Sequence, residues 1–338
     1  MASPMPHRPS KRPKLLAQDN DPPKPLPRLR TISHPWRSLL AVAVYAADAS
    51  RVDVRLLDLA SGAVVAQLDG QGNALFGMSG GLLCSVSGTR NAAAIRVLDP
   101  ATGAVSIVAA AGTSSTYVFG LVPETGEHKV LRVYTSAHDE QEQSCEVLTL
   151  LGGGPEQSWR PAASPPVLVD TKNPRHRAVT HGFVHFMTPD RAEHDGIVSF
   201  DLATEKWKPA LLQNPAASGR RHCQRCSLSL VDLNGCLVSV RPDYWYKSID
   251  MWVLADLCKG TWLRIQALRQ GSVLQGGEVM AQPLTVADDG RIALWVAAPN
   301  GAVRVYDPRT GSCKNVVTMG KHCSLVGLYT GSLLAYLK

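Results

Sequence analysis

Two short stretches of this sequence carry residue types that could do chemistry. The first, "GMSGG" at 77–81, places Ser79 in the Gly-x-Ser-x-Gly spacing of a hydrolase nucleophile elbow. That motif needs a helix after the serine, so that the hydroxyl is exposed on a sharp turn. The residues that follow, "LLCSVSG", have the apolar alternation of a strand. We therefore interpret 77–81 as a glycine-rich loop between blades.

The second stretch, "HCQRC" at 222–226, has the close spacing of a metal-binding knuckle. A structural zinc ion needs four ligands, usually from two such pairs. The remaining candidates have no paired spacing; they are His176, His181, His185 and Cys236. Phosphate-binding loops, dinucleotide fingerprints and His-Glu-x-x-His motifs are absent from the sequence. We expect no metal, no cofactor and no catalytic residues, and hence a binding protein rather than an enzyme.

The positive charge is concentrated at the N-terminus. Of the net charge of +7, residues 1–40 carry +6, so the remaining chain is almost neutral and lacks the basic face of a nucleic-acid-binding protein. No apolar run approaches the roughly 20 residues of a membrane span, and the N-terminus lacks an apolar signal segment. The eight cysteines are expected to be reduced thiols. These features predict a cytoplasmic and/or nuclear protein without membrane or nucleic-acid partners.

The proline-rich residues 1–25 are predicted to form a disordered basic tail, because they contain few large apolar groups. Within this tail, "KRPK" at 11–14 is similar to a short nuclear import signal, and a solubilising basic cluster is the alternative.

The rest of the chain repeats one phrase, in which Asp-x-x-(Ser/Thr)-Gly separates two alternating apolar runs. It occurs at 58–62, 99–103 and 307–311, with relatives at 122–126 and 201–205. Aspartate accepts hydrogen bonds from the following backbone and glycine adopts positive φ, so each phrase predicts a hairpin turn. A second phrase, a glycine followed by alternating apolar residues, predicts strands at 80–88, 181–187, 234–240 and 289–296. Its "NG" and "DG" dipeptides, at 234 and 289, predict further hairpin turns.

Together these hairpins define repeats of about 45–50 residues, each of which contains four strands. Six units are expected, at 39–70, 74–112, 116–165, 176–214, 224–268 and 280–318. The pattern predicts an all-β protein: a single β-propeller of about six four-stranded antiparallel blades. Strand material at 324–337 is expected to pair with the first unit and close the ring.

Five segments of the chain resemble, in order, the F-box-associated, kelch-like propeller domain of plant F-box proteins. They are "YVFGLVPETGEHKVLRV", "CEVLTLLGGGPEQSWR", "VTHGFVHFM", "GIVSFDLATEKW" and "IDMWVLADLCKGTWLRI". In the third segment, His181 stands where the family usually has asparagine. The resemblance covers about 116–318.

Residues 26–40, "LPRLRTISHPWRSLL", resemble the C-terminal part of an F-box, and so predict a short helical segment before the propeller at 41–338. The helix with which an F-box normally begins is missing upstream, where Pro22, Pro23, Pro25 and Pro27 forbid a continuous helix. By resemblance, an apolar stripe in this segment would bind a Skp-type adaptor: Leu26, Leu29, Ile32, Trp36, Leu39 and Leu40.

The resemblance implies the substrate-recognition subunit of a Skp–cullin–F-box ubiquitin ligase, whose propeller binds a target protein. The alternative is an interaction or scaffold propeller that no longer binds the adaptor because its F-box is incomplete. Three adjacent aromatic residues in an expected inter-strand loop are candidates for target binding: Tyr244, Trp245 and Tyr246. Packing between blades is the other interpretation of this triplet.

Overall fold

The structure is a computed structural model that describes residues 40–46, 52–68, 74–88, 93–100, 102–110, 115–136, 142–150, 158–189, 196–216, 228–243, 247–278, 280–297, 301–319 and 323–329. These residues form six four-stranded antiparallel sheets. The only helices within the described ranges are a 3₁₀ turn, Pro174–His176, and the one-turn α1, Gln270–Val273. No helix in this part of the chain is long and apolar enough to cross a membrane. The predicted all-β propeller is confirmed.

The sheets are the blades of the propeller and follow one another along the chain. Blade 1 contains β1 (Leu40–Ala46), β2 (Val52–Asp58), β3 (Val64–Leu68) and the C-terminal β24 (Cys323–Tyr329). Blade 2 contains β4 (Ala74–Ser79), β5 (Leu82–Gly88), β6 (Ala93–Leu98) and β7 (Val105–Ala110). Blade 3 contains β8 (Thr116–Leu121), β9 (His128–Thr135), β10 (Gln143–Thr149) and β11 (Arg160–Ala162).

The second half of the chain repeats this arrangement. Blade 4 contains β12 (Arg177–Thr180), β13 (Phe183–Met187), β14 (Ile197–Asp201) and β15 (Lys206–Trp207). Blade 5 contains β16 (Ser229–Leu233), β17 (Cys236–Asp243), β18 (Ser248–Asp256) and β19 (Thr261–Arg269). Blade 6 contains β20 (Ala281–Val286), β21 (Ile292–Val296), β22 (Ala302–Asp307) and β23 (Ser312–Thr318).

The ring closes through blade 1, as the sequence predicts. Strand β24 pairs antiparallel with β1, so that Leu40 lies opposite Tyr329 and Ala43 lies opposite Val326. The first strands of neighbouring blades, β4, β8, β12, β16, β20 and β24, contact one another around the ring. Because the two ends of the chain share one sheet, neither end leaves an unpaired edge at the point of closure.

The predicted turns have the expected chemistry. In the turn after β2, the Asp58 carboxylate accepts hydrogen bonds from Ala60 N (3.0 Å) and Ser61 Oγ (2.6 Å). Gly62 ends this turn with a φ of 74°, a conformation that glycine adopts without steric cost. Asp99 and Gly103 repeat the arrangement after β6. Local sequence therefore determines where each hairpin reverses.

The hydrophobic core lies between blades rather than within a single layer. One cluster joins blades 3 and 4 through Leu131, Val184 and Phe200, all fully buried. Another joins blades 5 and 6, and includes buried residues of β17 and β21. Strand β14 of blade 4 is covered on both faces, and all five of its residues are buried. Blades 2 and 3 pack closely at Gly77, because glycine has no side chain. A Cβ added at this position would lie 2.6 Å from Phe119 Cβ, which is too close for two carbon atoms.

Polar side chains also connect neighbouring blades. Asn234, which has a φ of 52°, accepts hydrogen bonds from Thr285 Oγ1 (2.7 Å) and Val286 N (3.2 Å). Its amide group donates to Val286 O (2.7 Å). The turn between β16 and β17 is thereby attached to the first strand of blade 6.

Candidate functional site

The propeller has two faces that differ in their connections. The turns between the first and second strands of a blade, and between the third and fourth, lie at one end; we call this end the turn face. It includes the described turns at 58–62, 80–81, 99–103, 122–127, 181–182, 201–205, 234–235, 256–260, 287–290 and 307–311. The opposite end, the loop face, carries the remaining connections. The His181 ring lies against Gly235, so turns of adjacent blades are neighbours on the turn face.

The segment that resembles an F-box enters the propeller at the turn face. Leu40 is the first residue of β1 and lies opposite both Asp58 and Tyr329, at the end of the sheet that carries the 58–62 turn. Leu40 is thus placed in a strand. The other predicted adaptor-binding residues lie outside the described residues: Leu26, Leu29, Ile32, Trp36 and Leu39.

The aromatic triplet, Tyr244, Trp245 and Tyr246, also lies outside the described residues, but the strands on either side are described. Asp243 and Ser248 lie opposite each other where β17 ends and β18 begins. Since they join the second and third strands of blade 5, Asp243 and Ser248 lie at the loop face. Leu40, the last residue of the F-box-like segment, lies at the turn face, so these described residues are at opposite ends of the propeller.

A charged cluster stabilises the strands that carry this loop. The buried Asp250 carboxylate accepts hydrogen bonds from Arg241 Nη2 and Arg264 Nη2, each at 3.1 Å. Arg241 also donates to Ala216 O (3.0 Å), which lies in the connection from blade 4. The guanidinium carbon of Arg241 lies 4.9 Å from the centre of the Trp252 ring. These contacts hold the base of the loop in one position.

A channel with a cavity volume of about 370 Å³ runs between the first strands of the six blades. Much of its wall is apolar, with contributions from Val118, Phe119, Val179 and Leu284. Polar side chains in the wall are Ser79, Arg177, Asp232, Asn234 and Gln282. A cavity of this size and mixed lining has the dimensions of a small-ligand site.

Two ionisable side chains line the channel, and they lie at different heights. Arg177 is the first residue of β12, on the loop-face side, whereas Asp232 comes just before the β16–β17 turn. Burial lowers the pKa of Arg177, an effect that the charge of Asp170 partly offsets. Neighbouring protein atoms desolvate the Asp232 carboxylate and raise its pKa to about 6, although the side chain is exposed to solvent and accepts a hydrogen bond from Gly235 N (2.7 Å). The channel therefore has a cationic and an acidic end.

Ser79 does not lie in a nucleophile elbow. Ser79 ends β4, a two-residue turn follows, and β5 begins at Leu82, so the helix of a nucleophile elbow is missing. Ser79 Oγ instead accepts a hydrogen bond from Leu121 N (3.2 Å) in the next blade. The interpretation of 77–81 as a loop between blades is wrong, because 77–79 belong to β4 and 80–81 form the turn to β5 within blade 2.

Two of the three histidines considered as metal ligands have other partners. His176 Nδ1 lies 2.6 Å from Asp170 Oδ2. His185 lies between Thr180 Oγ1 (2.9 Å) and Ser199 Oγ (2.8 Å). No group of three or more potential ligands converges anywhere in the described part of the chain. The "HCQRC" stretch at 222–226 lies outside the described residues.

A match to a known protein family shows to which family this chain belongs. The profile of the F-box associated beta propeller domain matches residues 67–324, well over half of the chain. The chain belongs to the F-box associated beta propeller family. The match extends the resemblance at 116–318 into blade 2 and to the beginning of β24, and it begins after the F-box-like segment.

Comparison with solved structures finds other proteins of low sequence identity. A chain of a nidogen/laminin complex is 11% identical with a TM-score of 0.49, and the match covers 86% of this chain and 98% of that one. A Lactobacillus plantarum protein is 11% identical with a TM-score of 0.46, over 86% and 98%. The dihydro-heme d1 dehydrogenase NirN is 16% identical with a TM-score of 0.43, over 88% and 76%. No curated protein sequence matches the chain.

Sequence reasoning did not identify the channel residues of this F-box associated propeller. Arg177 and Asp232 stand in short strands and belong to no motif. The available signal was their position: each lies within five residues of the His-Gly or Asn-Gly hairpin that ends the first strand of its blade. An ionisable residue at this position faces the channel only if the first strand of its blade is the innermost one. Which strand is innermost depends on how the blades are arranged in the ring.

Proposed function

We propose that this protein is the substrate-recognition subunit of a Skp–cullin–F-box ubiquitin ligase and binds a target protein through its propeller. The observation that carries the proposal is the membership of residues 67–324 in the F-box associated beta propeller family. The F-box-like pattern of residues 26–40, directly before β1, supports an adaptor contact.

The two faces of the propeller support a division of roles. The F-box-like segment is attached at the turn face, so an adaptor bound there leaves the loop face free. The loop face would bind the target, with Tyr244, Trp245 and Tyr246 as anchors beside the Asp250 cluster. The ligase would then act by proximity, since holding a target near the transfer machinery raises its effective concentration. In this proposal the chain acts in the cytoplasm or nucleus and does no catalysis itself.

The adaptor contact is tested by co-purification of the full chain with a Skp-type adaptor. We expect the wild-type chain to retain the adaptor and Trp36→Ala to lose most of the retention, because a buried indole contributes several kcal/mol to an interface. Trp36→Phe keeps a large apolar ring and should restore part of the binding. His34→Ala, outside the apolar stripe, is the matched control and should bind like wild type.

Failure of the wild-type chain to bind any Skp-type adaptor would contradict the ligase proposal. That result would favour the second candidate, a scaffold propeller without an adaptor, which the prolines at 22, 23, 25 and 27 motivate. Equal binding by wild type and Trp36→Ala would place the adaptor contact elsewhere on the chain.

A further inference from the structure

Arg177 is a cation without a partner among the described residues, at the loop-face end of the channel. Its guanidinium is half-buried and lines the cavity, and it makes no hydrogen bond or ion pair with a described residue. The acidic residue whose charge raises the pKa of Arg177 is Asp170. Its carboxylate already accepts hydrogen bonds from Lys172 N (2.8 Å) and Asn173 N (3.2 Å) and pairs with His176. A guanidinium has five N–H donors, so a desolvated one without acceptors favours the entry of an anion.

Gln282 provides a second unpartnered polar group near this end of the channel. It is the second residue of β20, its side chain lines the same cavity, and its amide has no hydrogen-bond partner among the described residues. Arg304 of blade 6 provides a contrast, because it is buried and forms two hydrogen bonds with the Glu278 carboxylate. Arg177 and Gln282 differ from Arg304 in that they line the channel and make no hydrogen bond with a described residue.

The residues that line the rest of the channel determine the chemistry of the remainder of the ligand. The residues that line the channel between its two ends include the partly exposed Val179 and three buried apolar residues, Val118, Phe119 and Leu284. Asp232 lies nearer the turn face and would repel a second negative charge there. The site therefore suits a compact molecule with one anionic end and an apolar body.

From this arrangement we infer that the channel binds an organic carboxylate, with the carboxylate on Arg177, an additional hydrogen bond from Gln282, and the apolar part against Val179 and Leu284. Guanidinium and carboxylate groups match in a planar, bidentate geometry, which gives directional specificity. The carboxylate could be that of a small aliphatic or aromatic acid or the C-terminus of a peptide. Neither Arg177 nor Gln282 belongs to the predicted adaptor-binding segment at 26–40, so variants at these two residues leave that segment unchanged.

Saturation-transfer NMR on the full chain tests the inference, with two pairs of probes. The first pair is 4-phenylbutyrate and its amide, and the second is N-acetyl-alanyl-leucine and its C-terminal amide. We expect at least one carboxylate to bind and its amide not to bind. Binding of the first acid alone would indicate a small-acid site, and binding of the second alone a site for peptide C-termini.

Three variants distinguish carboxylate binding in the channel from non-specific attraction of an anion to a basic protein. Arg177→Gln should weaken binding of the carboxylate by about tenfold or more, since charge-assisted hydrogen bonds are lost. Gln282→Leu should weaken it less. Arg309→Gln removes an exposed arginine outside the channel and should leave binding unchanged. Thermal unfolding of each variant verifies that it is folded.

Three results would overturn the inference. They are equal binding of acids and amides, binding that survives in folded Arg177→Gln and Gln282→Leu variants, and no binding of either acid to the wild-type chain. None of these bears on adaptor co-purification, so the two proposals fail separately.

Discussion

Buried histidine His185 shows how single residues of this propeller are specified by their neighbours. It is 1% exposed and lies between the hydroxyl groups of Thr180 and Ser199, from the two strands beside it. Burial lowers its pKa from 6.5 to about 3, because the charged imidazolium is poorly solvated there. The folded protein therefore keeps this ring neutral at pH values at which the unfolded chain would protonate it.

The pH dependence of stability follows from this shift. Because the folded pKa is depressed, the contribution is fully present above about 6.5 and is lost as the pH falls toward 3. We expect His185→Gln to be less stable than wild type at pH 7 by roughly 1–3 kcal/mol, through imperfect replacement of two buried hydrogen bonds. Between pH 7 and pH 4 the variant should lose less stability than wild type, by a difference on the order of 3 kcal/mol.

Urea unfolding at a series of pH values measures both effects. His181→Gln is the control, because His181 is exposed on the turn face. Parallel pH profiles for wild type and His185→Gln would show that His185 does not titrate in this way.

At the scale of elements, the turns both reverse the chain and connect blades. Glu205 takes the last position of the 201–205 turn, where related turns have glycine, and it has a φ of 55°. Its carboxylate accepts hydrogen bonds from Lys129 Nζ (2.9 Å) and Arg160 Nη2 (2.6 Å) of blade 3. Burial raises its pKa, but these two bonds outweigh burial and the net pKa is lowered. An unfavourable backbone conformation is thus accompanied by contacts between blades.

Asn234 permits the clearest test of such a connection. Asn234→Ala would remove three hydrogen bonds to blade 6 and place an alanine at positive φ, so we expect a loss of roughly 3 kcal/mol in the free energy of unfolding. Asn234→Gly removes the same bonds without the backbone strain and should cost about 1 kcal/mol less.

Chemical denaturation of the two variants provides the comparison. Asn315→Ala is the control, because the exposed Asn315 amide bonds to Thr318 within the same strand. A cost for Asn234→Ala no larger than that of the control would show that the turn is not attached to blade 6 by this side chain.

At the scale of the whole molecule, stability depends on ring closure by β24. Val326 is 3% exposed in β24 and packs with residues of blades 1 and 6. Val326→Asp would bury a carboxylate at the closure, and we expect a loss of roughly 3–5 kcal/mol or failure to fold. Val64→Asp makes the same change at the outer edge of blade 1, where the side chain is 52% exposed, and should cost little.

Thermal unfolding and size-exclusion chromatography of this pair measure the effect. Similar melting temperatures for the two variants would mean that closure through β24 contributes little to the stability of the ring.

The fold could be predicted from the sequence because its signals are local. The Asp58 and Asp99 turns, the two-residue hairpin at Asn234 and the alternating strands each depend on residues adjacent in the chain. Closure by the C-terminal strand could also be predicted, because an open ring would leave unpaired edges. The candidate site could be predicted only in part from the sequence. The proposed adaptor-binding and target-binding residues rest on resemblance and on composition, and they stay predictions.

The sequence by itself therefore determined the strands, the turns, their order and the family, because hydrogen bonds within a hairpin and apolar alternation involve near neighbours. Only the tertiary structure decided which residues of different blades meet. Arg177 comes to line the same channel as Gln282, because the ring places first strands from all six blades around one axis. Such contacts join residues that are distant along the chain, and no local pattern encodes them.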